Sequence, residues 1–127
     1  MSKRIVRTEE APQAIGPYSQ AVVAGGFVYV AGQLALDPGT GQLVPGDVRI
    51  QTKRVMENIK AILGSAGSSL ASVVKTTVFL RDLNDFGTMN EIYGSYFQED
   101  PPARSTVQVA KLPRDGAVEI EVVALVK

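Results

Sequence analysis

The chain has 127 residues, of which 45% are hydrophobic and 20% are charged, a composition typical of one globular domain that buries a core without disulfides. Its 13 basic and 13 acidic residues leave no net charge, so the bulk charge does not favour a nucleic acid as partner. The sequence has no cysteine and no histidine, which excludes a thiolate nucleophile and imidazole as acid, base or metal ligand. Any catalysis must rest on carboxylates, tyrosine, lysine, hydroxyls, backbone groups and water.

The sequence carries no targeting or membrane signal. The first ten residues, MSKRIVRTEE, lack an apolar core and carry acids early, unlike a secretory or transit peptide. No apolar run approaches the roughly 20 residues that a membrane-spanning helix needs. We therefore expect a soluble cytoplasmic protein with no membrane partner.

The first half of the chain predicts three strands and a helix. Residues 3–7 are a short first strand, and the runs AVVAGG and FVYVAGQ are a hairpin that turns at Gly25–Gly26. After the longest loop, LDPGTGQLVPGD, Asp47 stands at the N-cap position of a helix that ends at Gly64 or Gly67. Its apolar stripe has spacings of seven, four and three and consists of Val48, Val55, Ile59 and Ile62.

The second half predicts a strand, a helix and two further strands. The run VVKTTVFLRD is a strand by its β-branched content, and LNDFGTMNEIYGSYFQ is a helix capped by Asn84 or Asp85. The last two strands span about 103–110 and 117–126. One face of the second helix carries Phe86, Met89, Tyr93 and Phe97.

The order β-β-β-α-β-α-β-β predicts an α/β domain of the α+β type, in which two helices cover one face of a mixed sheet. The other face then needs a partner. We expect a homo-oligomer that packs these faces together, with sites between subunits. The apolar residues predicted for the uncovered face are Val107, Val109, Val118, Ile120 and Val122.

Arg104 is the first candidate for chemistry. Alternation places Arg104 and Thr106 on the same face of their strand. A guanidinium is planar, permanently charged and suited to a two-pronged contact with a carboxylate, so it fits a small organic acid. The alternative is a solvated arginine paired with an acid.

Two glutamates follow on the neighbouring strand. Glu119 and Glu121 face the same side of VEIEVVALV, either as solvent-facing acids or with one in a cleft, where a desolvated carboxylate acts as a base toward water. Tyr18 follows the rigid Gly16–Pro17 turn and either lines a pocket or packs at the core edge, and Gly32 permits close backbone approach. The sequence has no phosphate-binding or calcium-loop motif.

Three motifs in order resemble the Rid family (also called YjgF-like), the enamine/imine deaminases. They are APQAIGPYSQA, VKTTVFLRDLNDF and the pair PARSTVQVAKL and VEI. The resemblance covers nearly the whole chain and implies a single domain over 1–127. It also implies a chorismate-mutase-like fold, a homotrimer with clefts between subunits, and hydrolysis of 2-imino acids to 2-keto acids and ammonia without a cofactor or metal.

The resemblance also implies roles for single residues. The arginine matching Arg104 grips the substrate carboxylate, the glutamate matching Glu119 positions the attacking water, and the tyrosine matching Tyr18 lines the cleft. Backbone groups matching Gly32 and Thr106 contact the ligand, and the asparagine matching Asn90 lies nearby. Two substrate-binding positions depart from the pattern, because Ala31 replaces a frequent serine and Thr106 a frequent cysteine.

Two other functions stay open at this point. One is a non-catalytic module that senses small carboxylates in the same cleft. The other is RNA cleavage, which has been attached to relatives of this family. The balanced charge and the lack of histidine or of an aromatic-basic stripe argue against RNA.

Overall fold

Six strands form one mixed sheet. The computed structural model describes residues 2–127. The strands are β1 (Arg4–Val6), β2 (Ala21–Ala24), β3 (Phe27–Gln33), β4 (Val73–Leu80), β5 (Ala103–Gln108) and β6 (Val118–Leu125). Their order across the sheet is β1-β2-β3-β6-β4-β5, and β4 and β5 are the parallel pair. The predicted order of elements is confirmed.

Two helices, α1 (Val48–Ser65) and α2 (Phe86–Tyr96), complete the fold. Asp47 caps α1 as predicted, because its carboxylate accepts bonds from the backbone N–H groups of Arg49 and Ile50 at 3.1 and 3.2 Å. Asp85 stands at the N-cap of α2 but makes no capping bond. Within residues 2–127, no helix is both long and apolar enough to cross a bilayer.

The hydrophobic core lies between the helices and one face of the sheet. Alternate residues of β6 are buried in it, namely Val118, Ile120, Val122 and Ala124. The expectation that Val118, Ile120 and Val122 supply the uncovered face is therefore wrong. The reason is that β6 has apolar residues on both of its faces, so its alternation did not say which set meets the helices.

The face of the sheet turned away from the helices is called the open face below. On β6 it carries Glu119, Glu121, Val123 and Leu125. Large apolar side chains remain exposed there, because Tyr29 is 48% exposed, Val107 43% and Leu125 46%. The register places these three side chains on the same face as Glu119.

Candidate active site

Arg104 lies in a cradle formed by α2. β5 turns Arg104 toward this helix, where its Nη1 donates to Asn90 Oδ1 at 2.8 Å. The guanidinium carbon lies 5.4 Å from the ring centre of Phe86 and 4.8 Å from that of Tyr93. These three helical residues are spaced four and then three positions apart, so they project from one face of α2. The cradle therefore fixes the plane of the guanidinium.

The charge of Arg104 is not neutralised within residues 2–127. No carboxylate of these residues lies within 4.0 Å of it, and the ion pairs they contain are Arg49–Glu91 and Arg81–Asp115. An amide oxygen accepts a hydrogen bond but carries no net charge, and aromatic faces orient a cation without discharging it. Hence Arg104 is not the acid-paired arginine of the alternative interpretation, and its charge remains available to an anion.

A cavity of about 390 Å³ adjoins this guanidinium. It is lined by Asn90, Tyr93, Gly94, Phe97, Pro101, Pro102 and Arg104. Its floor is held by Tyr93, whose hydroxyl is 2.8 Å from Thr76 Oγ1 in the buried interior. Burial raises the pKa of Tyr93, although the Thr76 bond and the Arg104 charge lower it, so the phenol stays protonated near neutrality.

Glu119 lies on the open face, next to Gly32 of the neighbouring strand β3. A Cβ atom at position 32 would overlap Glu119 Oε2 and stand 2.9 Å from Cδ, so glycine leaves the space that the carboxylate occupies. Burial raises the pKa of Glu119, and the charge of Glu121 raises it further. A carboxylate in this state is a better proton acceptor than an exposed one.

A second cavity, of about 460 Å³, opens beside Glu119. Three of the predicted site residues, Tyr18, Ala31 and Gly32, line it together with Glu119. The Tyr18 side chain is 54% exposed, and its hydroxyl accepts a bond from the Ile15 N–H at 3.3 Å. The cavity therefore combines one carboxylate, one phenol and the guanidinium of Arg114 with a wall that is otherwise mostly apolar.

The two cavities lie on opposite faces of the sheet. Arg104 is paired with Thr76 of β4, which is buried under the helices, whereas Glu119 is paired with Phe79 of the same strand. Positions 76 and 79 are an odd number of residues apart, so their side chains point to opposite faces. In one chain the predicted site residues therefore form two groups. The Arg104 group also contains Asn90, and the Glu119 group also contains Tyr18, Ala31 and Gly32.

Thr106 falls with the Arg104 group. It lies two positions along β5 from Arg104 on the same side, and its hydroxyl oxygen is buried without a hydrogen-bond partner in residues 2–127. In the described part of the chain, Thr106 therefore leaves one buried polar atom without a partner on the side of β5 that carries Arg104. Among residues 2–127, no group of three acidic side chains is arranged to hold a metal ion.

Sequence reasoning missed several residues of the two cavities. Phe86 and Tyr93 were assigned to an apolar helix face, and their helical spacing from Asn90 was the signal that could have joined them to Arg104. The wall of the Glu119 cavity had no such signal, since its members come from separate loops. They are Ile15, Leu34, Leu36, Pro113 and Arg114.

Comparisons with known proteins show which group this chain resembles. The family model described as Endoribonuclease L-PSP matches residues 8–126. A RutC family protein of Pyrococcus abyssi is 57% identical over 124 residues, which are 98% of each chain. The 2-iminobutanoate/2-iminopropanoate deaminase of Mus musculus is 53% identical over 123 residues, covering 97% of this chain and 91% of the mouse protein. The solved structure of E. coli TdcF with bound serine superposes with a TM-score of 0.93 at 46% identity, over 98% of this chain and 99% of that one.

Proposed function

Because the chain belongs to the Endoribonuclease L-PSP (YjgF/Rid) family, as its three motifs predicted, we propose that it hydrolyses 2-imino acids to 2-keto acids and ammonia. The mouse relative carries this activity in its name. The observation that supports the proposal is that residues 2–127 hold both an Arg104 without a carboxylate partner among them and a half-buried Glu119 carboxylate, each beside a cavity. The Arg104 guanidinium is suited to bind the substrate carboxylate, and the Glu119 carboxylate is suited to accept a proton from water.

Arg104 is the anchor. Its fork forms two parallel bonds with the carboxylate of the imino acid, and the rings of Phe86 and Tyr93 hold the fork in plane. Asn90 occupies one N–H at 2.8 Å and leaves other donors of the guanidinium for the ligand. The anchor sets the iminium carbon at a fixed distance from the rest of the site.

Glu119 is the base. It removes a proton from water as the water oxygen bonds to the iminium carbon and the C=N π electrons move to nitrogen. The resulting carbinolamine collapses after Glu119 returns a proton to nitrogen: the C–N bond breaks, the C=O bond forms, and the regenerated Glu119 carboxylate accepts the hydroxyl proton and passes it to solvent. This gives the 2-keto acid and ammonia. An iminium carbon is already electrophilic, so positioning and a base that supplies about 10²–10⁴-fold suffice.

The two groups can act on one substrate only if two copies of the chain supply them. Within one chain Arg104 and Glu119 lie on opposite faces of the sheet, so the backbone layer of the sheet separates them. We propose a homotrimer of chorismate-mutase-like subunits in which each copy gives Arg104 to one neighbour and Glu119 to the other. The exposed apolar residues of the open face supply the contact area. A cytoplasmic location stays a prediction.

A coupled assay tests the activity. A pyridoxal-phosphate dehydratase generates 2-iminobutanoate in a non-nucleophilic buffer, and the release of 2-ketobutanoate is followed with wild type, with Arg104→Ala and without added protein. We expect acceleration by wild type alone. If wild type matches the blank, the hydrolase proposal is wrong.

Subunit mixing tests the shared site. Arg104→Ala and Glu119→Gln chains are unfolded together and refolded as mixed oligomers. If each site takes Arg104 from one copy and Glu119 from another, about a quarter of the sites regain both intact residues at random mixing. Mixed oligomers that stay as inactive as either parent would contradict the shared site.

A second candidate is a non-catalytic module that binds small carboxylates. The observation that favours it is that the E. coli TdcF structure contains serine, which is itself a small carboxylate. Binding of 2-ketobutanoate, abolished in Arg104→Ala but without any acceleration of imine hydrolysis by wild type, would support it.

A further inference from the structure

Two carboxylates stand side by side on the open face. Glu119 and Glu121 are two positions apart on β6 and are paired with Phe79 and Thr77 of β4. Residues so spaced on a strand are about 6.6 Å apart along the chain and project from the same face. Within residues 2–127, neither carboxylate has a cation within 4.0 Å. The two negative charges therefore act on each other directly.

The cations near this pair are directed elsewhere. Lys75 Nζ donates to Ser105 Oγ at 3.2 Å, Arg81 Nη1 donates to the Asp115 carbonyl at 2.9 Å, and Arg114 Nη1 donates to the Gly41 carbonyl at 3.1 Å. The other charged or titratable groups around Glu119 are Tyr18 and Arg114 of its cavity, Tyr29 of β3, Lys75 and Arg81 of β4, Asp115 beside Arg81, and Glu121. Of these, Glu121 is the carboxylate that shares the strand and the face of Glu119.

Packing does not account for Glu121. Its side chain is exposed on the open face, so it adds nothing to the core between the sheet and the helices. Like charges so close together disfavour each other. Within one chain, the charged group that shares the strand and the face of Glu121 is Glu119.

We propose that Glu121 is a positioning residue that acts through Glu119, by holding a second negative charge beside it on the open face. This rests on the proposed function, in which Glu119 takes a proton from water. Burial raises the pKa of Glu119 first, and the Glu121 charge adds to that rise. A carboxylate with a higher pKa accepts a proton from water more readily while it is still ionised near neutrality.

The test compares Glu121→Gln, Glu121→Lys and wild type in two measurements. Carboxyl-labelled glutamate reports the titration of Glu119 by NMR, and imine hydrolysis gives the acid limb of kcat/KM against pH. Glu9→Gln is the matched control, because it removes the same charge from an exposed residue outside the sheet.

We expect Glu121→Gln to lower the pKa of Glu119 by about 0.5–1 pH unit at low salt. The acid limb then moves to lower pH by the same amount, since the base must be ionised to act. The neutral-pH rate falls about two- to threefold through the weaker base. Glu121→Lys shifts both further, because it replaces a negative charge by a positive one.

An unchanged Glu119 titration in both Glu121 variants overturns the inference, as does an equal shift in Glu9→Gln. The NMR readout does not depend on turnover. If the pKa shifts while wild type shows no hydrolysis, the proposed function has failed and the coupling of the two carboxylates stands. If hydrolysis is present and the pKa of Glu119 does not shift, the role proposed for Glu121 is wrong and the proposed function stands.

Discussion

Gly32→Ala should lower activity while it leaves stability nearly unchanged. A Cβ at this position would overlap Glu119 Oε2 and stand 2.9 Å from Cδ and 3.2 Å from Cγ. Carbon atoms in comfortable contact are about 3.5–4.0 Å apart, so the carboxylate must move by about 1 Å. A displacement of about 1 Å in a catalytic group costs about 10²-fold in rate. We expect a loss of that size in kcat.

The same substitution should leave folding nearly unchanged. The atoms in the way belong to the end of a flexible side chain, and an alanine removes about 0.4–1 kcal/mol of unfolded-state entropy, which offsets the displacement. The melting temperature should therefore stay within about 4 °C of wild type. Thermal unfolding and the coupled imine assay are measured on the same preparations.

Two controls make this test specific. Gly64→Ala adds a methyl group in α1 where no atom lies within 4 Å, so it should keep full activity. Gly32→Ala in a Glu119→Gln background should cost little further activity, because the carboxylate is already lost. Full activity in Gly32→Ala, or an additive loss in the double variant, would refute the reasoning.

Three further outcomes are expected. Arg104→Lys keeps the charge but loses the planar fork, so the Kd for 2-ketobutanoate should rise at least about tenfold in calorimetry, and an unchanged Kd would argue against a two-pronged anchor. The raised pKa of Glu119 means that the folded state keeps its proton to a higher pH than the unfolded state does. Ionised Glu119 therefore lowers the free energy of unfolding as pH rises above the usual carboxyl pKa of 4.5. The free energy of unfolding of Glu119→Gln, measured in urea, should therefore rise relative to that of wild type between pH 4 and pH 8. A difference that does not change with pH would count against a desolvated carboxylate. Asp47→Ala should cost about 1 kcal/mol in urea unfolding, whereas Asp47→Asn retains most of the cap, and equal losses would show that capping is not the cause.

Local features of the fold were predictable because short-range chemistry decides them. The hairpin turns at Gly25–Gly26, where both residues have positive φ, +59° and +85°, the backbone that a two-residue turn between twisted strands requires. The start of α1 follows from Asp47 and the stripe behind it. In each case the determining contacts lie within a few residues along the chain.

Candidates for the site residues could also be chosen from the chain. Arg104, Glu119 and Tyr18 were chosen from their residue types and motifs, and the structure places Arg104 beside one cavity and both Glu119 and Tyr18 beside the other. The sequence did not show which residues surround these candidates. The aromatic cradle of Arg104 and the loop wall of the Glu119 cavity join residues that are distant along the chain.

Tertiary structure alone decided on which face of the sheet each candidate lies. A strand alternates, so its sequence divides the residues into two sets without saying which set meets the helices. The wrong assignment of Val118, Ile120 and Val122 came from this ambiguity. The register across β4, which pairs Thr76 with Arg104 and Phe79 with Glu119, resolved it and placed the two residues on opposite faces. Residue type and spacing thus determined which residues became candidates, whereas long-range strand pairing determined that one chain places Arg104 and Glu119 on opposite faces of its sheet.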